Sequence, residues 1–363
     1  MKRGMDFSAP AVALADYEAR AEQRMSESAR AYVNGGAADE ISLRENRAAF
    51  ARLKLQNSVL ADLSAANTRL SLLGLALEHP IALAPVAYHR LVHPEGEIAS
   101  VMGAGAAKAL AVVSTQASES LERIAAAATG PLWFQLYIQH DRGFTADLVA
   151  RAKAAGYRAL VVTVDAPASL RNREQRSGFR LPPGIEPVNL RGMRAGPPAC
   201  AEIGRSPLFS GFLEGAPTWR DLDWLAGLTD LPLVLKGILN PADARRAVEA
   251  GASALIVSNH GGRALDTVPA TIEALPRIAE AVAGALPLLL DGGVRRGTDV
   301  LKALALGASA VLIGRPHVHA LAVAGAAGVA HAVHLLRAEL EVAMALTGRA
   351  SLAQIDSGVL WRA

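Results

Sequence analysis

Four short stretches of this sequence carry residues that could do chemistry together. Ser258-Asn259-His260-Gly261-Gly262-Arg263 places an imidazole and a guanidinium on one tight loop. A histidine can accept a proton near neutral pH, and an arginine can hold a carboxylate through two parallel hydrogen bonds. Asp291-Gly292-Gly293-Val294-Arg295 and Gly314-Arg315 combine glycines, which let backbone amides approach an anion, with two cationic side chains. That is the pattern of a phosphate cradle. Lys236 closes the apolar run Leu233-Val234-Leu235, where a buried ammonium needs an anionic partner, either a cofactor or an intermediate. Alone, His260 would be an ordinary polar turn residue; the cations around it make it a candidate base.

The elements that must position these groups follow a rhythm. Short, continuously apolar runs recur at Ile81–Ala84, Leu110–Val113, Leu132–Leu136, Ala159–Val164, Leu233–Leu235, Ala254–Val257, Leu288–Leu290 and Ala310–Ile313. Such runs suit parallel strands buried on both faces. Helical stretches lie between them, among them Ala146–Ala155, Pro241–Ala250, Ala270–Val282 and Gly297–Leu306, and Gly156, Gly251 and Gly307 follow as caps. Eight strands alternating with helices predict an α/β fold, a closed (β/α)8 TIM barrel, whose chemistry belongs at the C-terminal strand ends. Every strand delivers polar groups or a tight turn there: Pro85-Val86-Ala87-Tyr88-His89, Ser114-Thr115-Gln116, Gln135-Leu136-Tyr137, Thr163 with Asp165, and Lys236-Gly237 join the stretches above.

Outside the repeat, residues 1–79 read as an N-terminal helical extension, with a turn at Asn34-Gly35-Gly36 that caps a helix and strand material at Leu70–Leu77. The Pro-, Gly- and Arg-rich segment 171–219 reads as a long loop after strand 4, over the barrel mouth, and Val329–Leu346 as a closing helix. Nothing marks a second domain, so residues 1–363 are expected to form one.

Composition narrows the function classes. The chain has 37 basic and 34 acidic residues, a net charge of +3, and 4% aromatics, too balanced for a nucleic-acid surface. Cys200 is the only cysteine, which rules out an internal disulfide and thiolate-rich metal sites. His79, His93, His317, His319, His331 and His334 are scattered without a carboxylate pattern, so no metal is expected. No signal peptide follows Met1 and no uninterrupted apolar run of about 18 residues appears, so a cytoplasmic protein without a spanning helix is expected.

The run Ser258-Asn259-His260-Gly261-Gly262-Arg263-Ala264-Leu265-Asp266, with Asp291-Gly292-Gly293-Val294-Arg295-Arg296-Gly297-Thr298-Asp299-Val300 and Gly314-Arg315-Pro316, resembles the signature of the FMN-dependent 2-hydroxy-acid oxidases and dehydrogenases. The resemblance runs from about Leu14 to the C-terminus. The segment Ala84 to His89 followed by His93-Pro94-Glu95-Gly96 looks most like the hydroxymandelate oxidase branch. The family pattern implies FMN across the mouth, against Pro85, Val86 and Ala87. Ser114, Gln135 and Thr163 would be its polar partners, Lys236 would lie near the N1–C2=O edge, and Ser258 near the ribityl chain. Asp291, Gly293, Arg295, Gly314 and Arg315 would take the ribityl and phosphate end.

The same pattern implies that Tyr32, Arg263 and a second arginine hold the substrate carboxylate. Tyr137 would lie near the substrate hydroxyl, and Asp165 would pair with His260 and favour its protonated form. Alignment back from Phe179 gives Arg171 as the second arginine, with Arg173 as the alternative, and Gln116 stands where an aromatic residue is frequent. The expected reaction is oxidation of an (S)-2-hydroxy acid, with mandelate-like aromatic acids among the candidates, to the 2-oxo acid. His260 would be the base, O2 or a quinone or other carrier the electron acceptor, and a homotetramer the assembly. Two other readings are a flavin enzyme acting on a larger biosynthetic intermediate and a catalytically silent flavin-binding protein.

Overall fold

The computed structural model describes residues 10–361 except 195, 197–203, 205, 207, 210–212 and 214; Cys200 and the segment from Met1 to Ala9 lie outside the described residues. Three helices come first, α1 (Leu14–Arg24), α2 (Glu27–Asn34) and α3 (Ile41–Arg52), followed by an antiparallel hairpin of β1 (Leu70–Leu72) and β2 (Leu75–Leu77). The expected helical extension is therefore helical only as far as Arg52. Within the remainder, the strand material expected at Leu70–Leu77 is present as Leu70–Leu72 and Leu75–Leu77.

Eight parallel strands follow: β3 (Ile81–Leu83), β4 (Ala111–Ser114), β5 (Leu132–Leu136), β6 (Leu160–Thr163), β7 (Leu233–Ile238), β8 (Ala254–Val257), β9 (Leu288–Leu290) and β10 (Ala310–Ile313). Each pairs with the next, and β10 pairs with both β9 and β3, which closes the barrel. These are the eight runs legible in the sequence. Around them lie α4 (Gly96–Ala106), α5 (Leu121–Ala127), α6 (Arg142–Ala154), α7 (Asn172–Arg176), α8 (Trp219–Ala226), α9 (Pro241–Glu249), α10 (Thr271–Val282), α11 (Gly297–Ala305) and α12 (Arg315–Leu346).

Apolar side chains from alternate strand positions, including Val112, Trp133, Val161, Ile256 and Leu289, fill the barrel interior. Leu72 and Leu77 of the hairpin join that cluster just before the chain enters β3, so the hairpin closes the end where the strands begin. The opposite end is the mouth.

One expectation needs correcting. The closing helix begins at Arg315, not Val329, and α12 is long and apolar enough by composition to cross a membrane. Its apolarity has a local explanation: Val318, Leu321, Val329, Val333, Leu336 and Leu340 are buried in the protein, and the helix breaks at Ala324 and Gly325. Gly35 caps α2 as expected, with φ of −67°. Space is the requirement, since a Cβ on Gly35 would stand 2.4 Å from the Ala31 carbonyl oxygen.

Helix α3 is held against the mouth by close contact. Gly293 has φ of +93°, and a Cβ there would lie 2.1 Å from the Asn46 carbonyl oxygen. Gly293→Ala should therefore lower stability by ~2 kcal/mol or more through backbone strain and displacement of α3. Thermal melting checks this; an unchanged midpoint would mean that α3 does not bear on the loop after β9.

Candidate active site

His260 follows β8 and has φ of +57°; Gly261 and Gly262 continue at +64° and +74°. A left-handed histidine costs on the order of 1–2 kcal/mol, a strain that tends to persist where function needs it. The Ser258 hydroxyl accepts a bond from the His260 amide and supports the turn. The His260 imidazole meets Asp165, just beyond β6, with Nδ1 3.0 Å from Oδ1. A carboxylate can only accept here, so Nδ1 carries the proton and Nε2 keeps its lone pair. Burial and the nearby Lys236 ammonium lower the His260 pKa, while Asp165 raises it. The pull of Asp165 towards the imidazolium is thus present but outweighed, and the neutral, basic form prevails at pH 7.

A cavity of about 1230 Å3 opens beside this pair at the strand C-termini. Its wall contains His260, Tyr32, Tyr137, Arg171, Arg263, Pro85, Val86, Ala87, Ser114, Gln135, Thr163, Lys236, Asp291, Gly293, Arg295, Gly314 and Arg315. Two expected site residues stand behind the wall. Asp165 backs His260, and fully buried Ser258 accepts a hydrogen bond from Lys236 Nζ at 3.1 Å. Across the floor, the Ser114 hydroxyl donates to Gln135 Oε1, and Gln135 Nε2 donates to the Thr163 hydroxyl, which fixes the amide orientation.

Lys236, Arg263 and Arg315 each have an answer in the fold. Lys236 Nζ lies 3.3 Å from Asp291 Oδ2, and although burial opposes its charge, Asp291 and Asp165 hold its pKa above the ordinary lysine value. Arg263 Nη1 donates to the carbonyls of Tyr32 and Gly35, and Arg315 donates to those of Val33, Gly35 and Gly261. Tyr32 and Val33 belong to the last turn of α2 and Gly35 caps it, so unsatisfied carbonyls and the negative end of the helix dipole meet two guanidiniums. Burial lowers the Arg295 pKa to about 10. Burial likewise raises that of Tyr137 to about 12, which keeps its phenol protonated.

Arg171 and Arg173 differ in position. Arg171 lines the cavity, with its guanidinium carbon 6.0 Å from the Tyr32 ring centroid, whereas Arg173 is turned away and pairs with Glu40. Arg263 approaches the same ring at 5.2 Å, and Phe179 stacks on it at 4.6 Å.

Two residues escaped the sequence reading. Glu174 Oε2 accepts from Arg171 Nη1 at 3.0 Å and lies 4.0 Å from Arg263; its spacing of three from Arg171 on a helical turn was the available signal. Asn46 of α3 exchanges two 2.8 Å amide hydrogen bonds with Asn259, next to His260. Ser42, Asn46, Ala49 and Phe50 form the buried stripe of α3, and two polar residues on such a stripe signal a specific partner.

The residues present fit FMN. Asp291 Oδ1 and Arg295 Nε are buried with no hydrogen-bond partner among the described residues, and both residues line the cavity. An acceptor and a donor kept apart in this way suit a polyhydroxyl chain ending in phosphate. The N-terminus of α12 and the glycines after β9 offer backbone amides at the same end.

The family model for FMN-dependent dehydrogenases matches residues 21–362. The chain is 50% identical over 355 residues to an L-lactate oxidase of Nostoc sp., covering 96% of this chain and 97% of that protein. It is 49% identical over 346 residues to an L-lactate oxidase of Alicycliphilus denitrificans, covering 95% of each. A solved mandelate oxidase with benzoyl-formic acid superposes with a TM-score of 0.87 at 42% identity, covering 97% of this chain and 98% of that one.

Lys236→Met should leave the Asp291 carboxylate buried and unpaired in the apoprotein, at about 3–5 kcal/mol of stability. Adding Asp291→Asn should recover much of that loss. Denaturant unfolding of the two single variants and the double variant measures the coupling; additive losses would mean that the pair is not a functional ion pair.

Proposed function

The chain belongs to the FMN-dependent dehydrogenase family and is an enzyme that oxidises a 2-hydroxy acid to the 2-oxo acid with FMN as its cofactor; within that chemistry, we propose that it acts on an (S)-2-hydroxy acid of lactate size, with His260 as base and dioxygen as electron acceptor. Enzyme chemistry sets aside the reading as a silent flavin carrier. One observation carries the proposal: the His260–Asp165 pair and the Arg171–Tyr32–Arg263 cluster border one cavity. A proton acceptor and a carboxylate clamp are what a 2-hydroxy acid requires.

In this reading Arg263 and Arg171 take the substrate carboxylate, and the Tyr32 hydroxyl adds a hydrogen bond. Tyr137 stays protonated and donates near the substrate hydroxyl. His260 Nε2 accepts a proton, and Asp165 stabilises the imidazolium so formed. FMN, when bound, supplies the two-electron acceptor. Pro85, Val86 and Ala87 would back its ring, Ser114, Gln135 and Thr163 would bond its polar edge, and Lys236 would stand where negative charge gathers. Ser258 acts by holding Lys236. Asp291, Gly293, Arg295, Gly314 and Arg315 would hold the ribityl phosphate. The two electrons and two protons removed from the hydroxy acid would end on dioxygen, giving hydrogen peroxide, as the oxidase names of the relatives suggest. A single FMN-binding unit over residues 1–363 and a homotetramer complete the proposal.

The small-substrate preference rests on greater identity to L-lactate oxidases than to mandelate oxidases. A second reading, an aromatic substrate of the hydroxymandelate type, is favoured by Ala87, Gln116 and Ala168 on the wall, where small or polar side chains leave room for a ring. Anaerobic flavin bleaching by L-lactate and (S)-mandelate discriminates: a higher kcat/KM for (S)-mandelate would reverse the order. Peroxide on readmission of air tests the acceptor.

His260→Ala should retain FMN yet slow flavin reduction at least 10²–10⁴-fold. Rapid bleaching by substrate in that variant would remove His260 from the chemistry. The pH profile has a definite sign. His260 must be neutral to accept a proton and its pKa is lowered from 6.5, so kcat/KM should fall on the acid side, below that value. Asp165 raises the His260 pKa, so Asp165→Asn should move the acid limb to still lower pH while reducing the plateau rate. A limb that shifts upward would contradict this arrangement.

A further inference from the structure

The mouth of the barrel pairs its basic side chains with carboxylates. Asp165 stands behind His260, Asp291 beside Lys236 on the cavity wall, and Glu174 behind Arg171, at 3.0, 3.3 and 3.0 Å. Arg263 has no carboxylate of its own among the described residues. Its nearest is again Glu174, at 4.0 Å, and its other contacts are main-chain carbonyls and the Tyr32 ring. One carboxylate therefore serves two guanidiniums. Arg171 and Arg263 carry like charge, and Glu174, 3.0 Å from one and 4.0 Å from the other, works against their repulsion. Glu174 is largely covered but is not part of the cavity wall.

Resting on the carboxylate-clamp reading above, we propose that Glu174 is a charge-setting residue that leaves the clamp one positive charge in excess and so fits it to hydroxy acids with a single carboxylate. Two guanidiniums and one Glu174 carboxylate sum to +1. A monocarboxylate brings the cluster to zero, whereas a 2-hydroxy dicarboxylic acid places a second negative charge in a neutral cluster that already holds a fixed anion nearby. Glu174 acts through the arginines, as a positioning residue that also fixes their charge. Its short ion pair holds Arg171 at the wall, and its charge sets how many carboxylates the pair accepts.

Oxamate and oxalate separate these two roles, because they have nearly the same shape and differ by one charge. Their dissociation constants can be read from the shift in the flavin absorption spectrum of the holoenzyme, without turnover. Glu174→Gln keeps an oxygen acceptor for Arg171 and removes the charge. On removal of carboxylate–carboxylate repulsion in a partly buried site, oxamate should bind on the order of tenfold tighter and oxalate on the order of a hundredfold tighter. The kcat/KM for 2-hydroxysuccinate relative to L-lactate should rise in parallel, and Glu174→Asp should restore the wild-type order. Glu174→Ser supplies a second uncharged variant should the glutamine variant fail to hold FMN. Equal weakening of both anions, or an unchanged ratio in the uncharged variants, would overturn the charge-setting role and leave only an anchor for Arg171. Arg263→Met tests the clamp separately: if oxamate binds to it as to wild type, the clamp reading itself falls, and the role of Glu174 with it.

Discussion

The Lys236 ammonium, Arg171, Arg263, Arg295, Arg315 and, after it accepts a proton, His260 crowd one end of a closed barrel whose interior is apolar. Charges of one sign in a covered site are costly unless each is paired or hydrogen-bonded. Much of the surrounding architecture answers that demand. Strand ends supply Asp165 and Asp291, the segment after β6 supplies Glu174, and three carbonyls at the end of α2 accept hydrogen bonds from two arginines. The remaining positive excess is what an anionic cofactor and an anionic substrate neutralise.

This constraint explains why the N-terminal helices are part of the site. A bare barrel would present Arg263 and Arg315 to solvent. With α2 in place their donors are engaged and their positions fixed, and Tyr32 is brought between Arg171 and Arg263. Helix α3 does the corresponding work for the backbone. Asn46 locks Asn259 beside His260, and the carboxylate of Asp266 accepts the amides of Asp39, Ile41 and Ser42 at the start of α3. Both ends of the loop that carries the base are thereby tied to a helix remote in sequence.

Most of this was legible before the fold was known, for unequal reasons. The eight strands showed themselves because parallel barrel strands are apolar on both faces. His260, Arg263, Lys236 and Asp291 stood out because polar residues closing such runs need a purpose. Glu174 did not stand out, since a glutamate among the charged residues of an Arg-rich segment looks solvated until its neighbours are placed. Asn46 was hidden because its partner lies 213 residues away. The extent of α12 was misjudged because an alanine-rich stretch with interspersed histidines has weak periodicity.

The contact of Arg315 with the carbonyls of Val33 and Gly35 spans 282 and 280 residues. During synthesis the α2 helix leaves the ribosome early, yet the guanidinium it must receive is made only when most of the chain has emerged. These contacts of α2 can therefore form only after the last strand has been made. Contacts so distant along the chain slow folding and prolong the exposure of unfinished surface. The feature that completes the mouth is also the one that makes its maturation a terminal event, coupled to the arrival of the last strand.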